Sequence, residues 1–270
     1  MYKSLVILLF SGLVSFSLHA QTDTIFGIQK TYPGDVVDFS VDNLGNIFIL
    51  YQNGQLKKLN SNGDSLAVFN DVRRYGKVYS IDVTNPLRIL LYYKDFGTIV
   101  ILDRLLNSRA TIDLRKLNLY QVKAIGQSYD NNIWLFDELE SKLKRINESG
   151  KLLDQSTDFR VLFDSVPSPQ YIIDQNKQLY LYDPLKGVYV FDYYGAFKSR
   201  IPFTGWLDFS VINDILFGRD EHQLFRYEPG TFNLQRYPIP PSMMDSRKIL
   251  ISPGNMYSLR NNKLEVYKFQ

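Results

Sequence analysis

"VDNLGNIFILYQNGQLKKLNSNGDSL", residues 41–66, decides the fold of this chain. Polar turn formers (DNLGN, QNGQ, NSNGDS) separate two short runs, IFILY and QLKKL, before a third begins at Ser65. Gly, Asn and Asp accept the positive φ of tight hairpins, so the stretch reads as consecutive antiparallel strands. A lone meander would leave its faces and edges open, so the question is whether the pattern recurs.

It recurs along the chain. FSVD (39–42) offers a template of bulky residue, small residue, β-branched residue and turn former, and it is matched by YSID (79–82), KAIG (123–126), YIID (171–174), FSVI (209–212) and ILIS (249–252). The steps are 40, 44, 48, 38 and 40 residues, the ~40–50 of a four-stranded propeller blade. Each unit continues with a polar turn, an apolar strand such as IFILY or RILLYY, a hairpin, a third strand and, in most units, a more polar fourth.

Packing logic favours a ring over a sandwich. In the first strands Phe39 and Val41, Tyr79 and Ile81, Phe209 and Val211 share one face, whereas Ser40, Ser80, Ala124 and Ser210 supply a small opposite face. Large against small lets twisted sheets stack closely around a narrow axis. Ile172 and Leu250 break the rule. The second strands are apolar on both faces, as expected of strands covered on both sides. The expected fold is all-β: a six-bladed β-propeller of four-stranded antiparallel blades. The sixth unit ends at Gln270 without a fourth strand, while TDTIFGIQKTY (22–32) is strand-like and precedes the first unit. We expect that N-terminal strand to complete the last blade and remove an exposed edge; a loosely held extension is the alternative.

Met1-Tyr2-Lys3 and the apolar run LVILLFSGLVSF read as a signal peptide over 1–20, cleaved after Ala20, with 21–270 as one propeller domain. A membrane anchor would need roughly 20 apolar residues. The chain has no cysteine, hence no lipobox cysteine to acylate and no disulfide scaffold. A periplasmic or secreted bacterial protein with no membrane span after cleavage is expected. The 31 basic and 28 acidic residues are dispersed, so no nucleic-acid track is expected.

VVDFSVDNLGNIFILYQNGQLKKLNSNGDSL (36–66) resembles one blade of an NHL-type repeat, in which a strand runs into D-x-x-G-N, an aliphatic strand and a polar hairpin. As architecture the resemblance spans roughly 22–270; in sequence it is close for the first blade and partial for the third and fourth. It implies a six-bladed propeller similar to exported bacterial propellers of the NHL and TolB-like kind, and carries no function with it.

Chemistry is sparse. Once the leader is removed, His222 in RDEHQLF is the one histidine, and with no cysteine a zinc site of the usual kind is nearly excluded. A triad through His222 lacks any nucleophile elbow. The enzymatic alternative is a hydrolase resembling gluconolactonases, which hold a divalent cation at the channel mouth through oxygen ligands. That family's first-blade Glu has no counterpart, because no Glu precedes Glu138. Asp38 and Asp208 can approach the axis, but Lys123 and Lys248 stand in matching register, a pattern of salt bridging. NSNGDS (60–65) faintly resembles a calcium loop but lacks the trailing Glu, and reads as a hairpin. Aromatic residues are densest at 187–206, where Tyr193, Tyr194 and Trp206 fall at strand ends; Tyr92, Tyr93 and Phe96 form a second patch. These six are the candidate binding surface. The expected function is recognition of a protein partner in the cell envelope through one face, without catalytic residues or cofactor; a glycan is the other candidate ligand.

Overall fold

The computed structural model describes residues 27–268; the leader, its cleavage point and residues 22–26 lie outside the described residues. Twenty-four strands form six four-stranded antiparallel sheets arranged as the blades of a propeller. The inner strands are Val36–Val41, Ser80–Asn85, Val122–Gln127, Tyr171–Gln175, Leu207–Ile212 and Lys248–Ser252, numbered here as blades 1 to 6. Blades 1 to 5 are each built from four consecutive strands. Blade 6 takes its outer strand, Gly27–Tyr32, from the N-terminal side of blade 1. That strand pairs with Lys263–Lys268, placing Ile28 opposite Tyr267 and Tyr32 opposite Leu264.

The repeated turn signature has a local cause. The Asp42 carboxylate accepts the N–H groups of Leu44 (3.0 Å) and Asn46 (2.8 Å), and the Asn46 amide donates back to it at 2.8 Å. Asp103 and Asn107 repeat this arrangement, and Asn60 and Asp64 use the same pair of positions. A short polar side chain that satisfies the N–H groups of its own turn fixes the hairpin. The D-x-x-G-N pattern and NSNGDS are therefore turn devices.

The core lies between blades. Phe48, Leu50 and Leu56 of blade 1 pack with Ile89, Leu91, Tyr93 and Val100 of blade 2, and every residue of Arg88–Tyr93 is buried. Burial on both faces follows from having a blade on each side. Near the axis the small residues allow close approach, with Ser40 Oγ donating to the Ile81 carbonyl at 3.5 Å. Ile172 occupies a small position without strain because it faces Gly126 of blade 3. Tyr79 departs from the expected buried face. It precedes Ser80–Asn85, is exposed, and stands edge-on to Tyr92 beneath the Lys94 ammonium.

Strand alternation gives the ring two unlike ends. At the loop face, where inner strands begin, lie the links between blades and the turns between second and third strands. The five helical turns among the described residues all sit there: Val72–Tyr75, Lys94–Phe96, Arg115–Leu117, Phe159–Leu162 and Pro241–Met243. At the turn face, where inner strands end, the connections are tight polar turns.

Candidate functional site

At the loop face Asp38, Tyr79, Lys123, Tyr171, Asp208 and Lys248 stand at or just before the starts of the inner strands, around the channel mouth. The charges are spent on one another. Lys248 Nζ lies 2.7 Å from Asp38 Oδ1 and donates to the Phe39 carbonyl at 2.8 Å. Asp208 accepts from Arg219 Nε at 2.6 Å and from the Ile249 N–H at 2.7 Å, and Lys123 stands 3.9 Å from Glu138. Burial pushes the Tyr171 phenol up to about 12, and Asp208, Asp38 and Tyr79 add to the shift while Arg219 opposes it. A phenol held protonated is no base. Among the described residues no three of His, Cys, Asp and Glu group to hold a metal ion.

Between blades 5 and 6 the same face carries an open cleft of about 440 Å³, lined by residues that include Arg219, Glu221, His222, Ser246 and Arg247. His222 is exposed on a hairpin whose backbone is capped by Asp220. Ser246 Oγ is bonded to Ser258 Oγ at 2.6 Å, and Arg219 is committed to Asp208 and the carbonyls of Ser246 and Arg247. No serine–histidine pair is formed there.

Around blades 2 to 4 the loop face exposes apolar side chains interspersed with charged ones such as Asp95, Arg115, Glu140 and Arg160. Phe96, Tyr120, Leu139, Val161 and Leu185 are all exposed, Val161 at 78% and Leu185 at 86%. Hydrogen bonds tie their loops edge to edge. Leu114 N–H donates to the Gly97 carbonyl (2.8 Å), Glu138 N–H to Gln121 (2.8 Å), Phe159 N–H to Ser141 (2.9 Å), and Ser168 N–H to the Asp183 carboxylate (2.8 Å). The five side chains thus stand on one braced arc.

The turn face offers a second concavity, about 280 Å³, across blades 1 to 4, lined by residues that include Asn43, Asn85, Gln127, Tyr129, Asn131 and Asp174. Asp174 Oδ2 takes three donors: Ser128 Oγ (3.0 Å), Tyr129 N–H (3.2 Å) and Trp134 Nε1 (3.1 Å). Burial raises the Asp174 pKa and these hydrogen bonds oppose the rise. Nearby, Tyr129 stands edge-on to Tyr193 (5.6 Å between centroids), which contacts the exposed Tyr194. Arg88 of blade 2 is buried with its guanidinium nitrogens unpaired, and burial lowers its pKa.

The six residues of the expected binding surface divide. Phe96 is exposed on the loop face, and Tyr194 is exposed on the opposite end with Tyr193 beside it. Tyr92, Tyr93 and Trp206 are corrected to core residues. Tyr92 is buried and its hydroxyl donates to the Val122 carbonyl at 2.8 Å; Tyr93 packs on Tyr75 at 5.2 Å. Trp206 is stacked between Phe203 (4.8 Å) and Phe225 (5.1 Å). These three rings lie under the neighbouring blade, where a large aromatic side chain buries the most area. The sequence reading missed Leu139, Val161, Leu185 and Asp174. Single apolar residues in polar turns carry no periodic signal, although a Leu or Val flanked by charges in a short loop was a legible one.

No protein-family model matches the chain, and no curated protein matches it. Solved structures share the ring. A streptogramin B lyase superposes with a TM-score of 0.59 at 18% identity, covering 87% of this chain and 79% of the lyase. A catalytically inactive virginiamycin B lyase from Staphylococcus aureus with quinupristin gives 0.58 at 14% identity, covering 89% of each chain. PorZ of Porphyromonas gingivalis, a bacterial surface component of the type-IX secretion system, gives 0.57 at 14% identity over 87% of this chain and 31% of PorZ. The likeness shows the fold. Identities this low leave function to the surfaces of this ring.

Proposed function

We propose that this protein is an exported, non-catalytic recognition propeller of the NHL and TolB-like kind, holding a protein partner of the bacterial cell envelope against its loop face. One observation carries the reading: the braced apolar arc from Phe96 to Leu185, whose loops are hydrogen-bonded to one another. Exposed apolar groups set on rigid elements and rimmed by charge are the usual makeup of a protein-binding patch. The self-paired mouth supports a binding role over hydrolysis, since Asp38 and Asp208 are each committed to a cation. The apolar run after Lys3 and the absence of cysteine support export.

The test is affinity capture from native envelopes with the chain from Gln21 onward, in parallel with a Val161→Asp, Leu185→Asp double variant. The expected result is one dominant protein that binds the unmodified chain and is lost from the variant, with melting temperatures agreeing within about 2 °C. Capture that is indifferent to both substitutions would remove the loop face from the proposal.

A further inference from the structure

Just beneath the wall of the turn-face cleft lie two acceptor atoms that are closed to solvent and have no donor among the described residues. Asp174 is 6% exposed and Gln127 4%, and both line the cleft. Asp174 Oδ2 is saturated by three donors, while its Oδ1 has none; Gln127 Oε1 is likewise unpaired. Leaving such atoms buried and unmatched costs ~1–3 kcal/mol each, so their occurrence in one cleft asks for a ligand that donates.

The rest of the lining says what kind. Among the described residues no Lys, Arg or His lines it, so an anion finds no cationic side chain there. Beyond the one carboxylate its polar groups are amides and hydroxyls, those of Asn43, Asn85 and Asn131 among them, which both donate and accept. Asn85 Nδ2 donates to Asn131 Oδ1 at 2.8 Å, which fixes how these two amides are turned. One aromatic ring, Tyr129, completes the cleft and is held edge-on by Tyr193 at 5.6 Å. The volume, about 280 Å³, sits at the lower limit of small-ligand sites, ~300–1,000 Å³. It suits one ring with substituents.

We infer that this cleft binds a neutral sugar unit, whose hydroxyls draw the Asp174 and Gln127 side chains toward the cleft and donate to Oδ1 and Oε1, and whose apolar ring face lies on Tyr129. The cleft opens at the end of the ring opposite the apolar arc, so sugar and protein partner are held at the same time without competing. The inference stands independently of the loop-face reading.

Saturation-transfer NMR on the chain from Gln21 onward tests it, with methyl glycosides of glucose, galactose, mannose and N-acetylglucosamine as probes and putrescine and inorganic phosphate as controls. At least one glycoside is expected to bind with a Kd of about 0.1–5 mM. Binding should weaken at least about tenfold (~1.4 kcal/mol) in Asp174→Asn, which replaces the free acceptor with a donor, and in Tyr129→Ala, which removes an exposed ring and leaves the fold intact. Leu185→Asp should leave it unchanged. The inference fails if no glycoside binds more tightly than about 10 mM, if only putrescine or phosphate binds, or if binding survives both turn-face substitutions.

Discussion

The backbone carbonyl of Ile172, in the inner strand of blade 4, occupies the space that a side chain on Gly126 of blade 3 would need. A Cβ at Gly126 would stand 2.9 Å from the carbonyl carbon and 3.1 Å from the Ile172 Cβ. The requirement is proximity, because Gly126 is not among the positive-φ residues. Gly126→Ala must push two blades apart, which in a packed ring costs ~1–3 kcal/mol. Urea unfolding should show a lower midpoint with an unchanged slope. An unshifted midpoint would mean that the two strands separate freely at this level.

Trp206 and Tyr194 look alike in sequence, each an aromatic residue at a strand end, and the ring treats them oppositely. Trp206 is stacked between Phe203 and Phe225, and its carbonyl accepts the Tyr182 hydroxyl at 2.8 Å, whereas Tyr194 is exposed. Trp206→Ala should cost ~3–5 kcal/mol, and Tyr194→Ala should stay within ~0.5 kcal/mol. Parallel thermal melts decide it, and comparable losses in the two variants would contradict the burial described here.

That pair marks how far the sequence could be read. Strand order, blade count and the shared sixth blade follow from period and turn chemistry, because Asp42, Asn60 and Asp103 fix their hairpins through bonds within five residues. Burial of Tyr92 depends instead on the Val122 carbonyl in the next blade, 30 positions away. The turn-face cleft is more distant still from any local signal. It joins Asn43, Asn85, Asn131 and Asp174, one from each of four repeats, and no single repeat contains the site.

Asp174 gives the protein a pH dependence of known sign. Its folded-state pKa is raised, burial being the leading cause, above the unfolded value of about 3.9. The folded protein therefore binds this proton more tightly than the unfolded chain. The group contributes most at low pH, and stability is lost as pH rises from the unfolded value through the raised folded one. Asp174→Asn has no proton to lose. Its melting temperature relative to the unmodified chain should climb as pH rises above about 4, and a difference that is flat or falls would show that the carboxyl is not raised.

Arg88 is 4% exposed with its guanidinium nitrogens unpaired in the structure. A buried cation without a bonded partner is a net cost, and a well-packed apolar replacement is commonly neutral or stabilising by ~1–4 kcal/mol. Arg88→Met keeps most of the stem volume and should raise the urea midpoint. A marked loss would instead reveal that the guanidinium is satisfied in solution, through Glu148 or Asp82, the two carboxylates acting on it through space.

Ring closure rests on a single six-residue strand. Gly27–Tyr32 supplies the outer edge of blade 6, and Tyr32 packs against the cluster that contains Val36, Tyr257 and Leu264. Without it, Lys263–Lys268 becomes an open edge with unpaired backbone groups, the template on which strands of other copies add. A chain beginning at Val36 should melt several degrees lower and elute as a larger, concentration-dependent species by light scattering. A synthetic peptide covering 27–35 should reverse both effects, because it restores the missing ladder without altering any other contact. A truncated chain that keeps the melting temperature and the mass expected of its shorter length would show that the five and three-quarter blades close unaided, and that the strand is an ornament on a ring already complete.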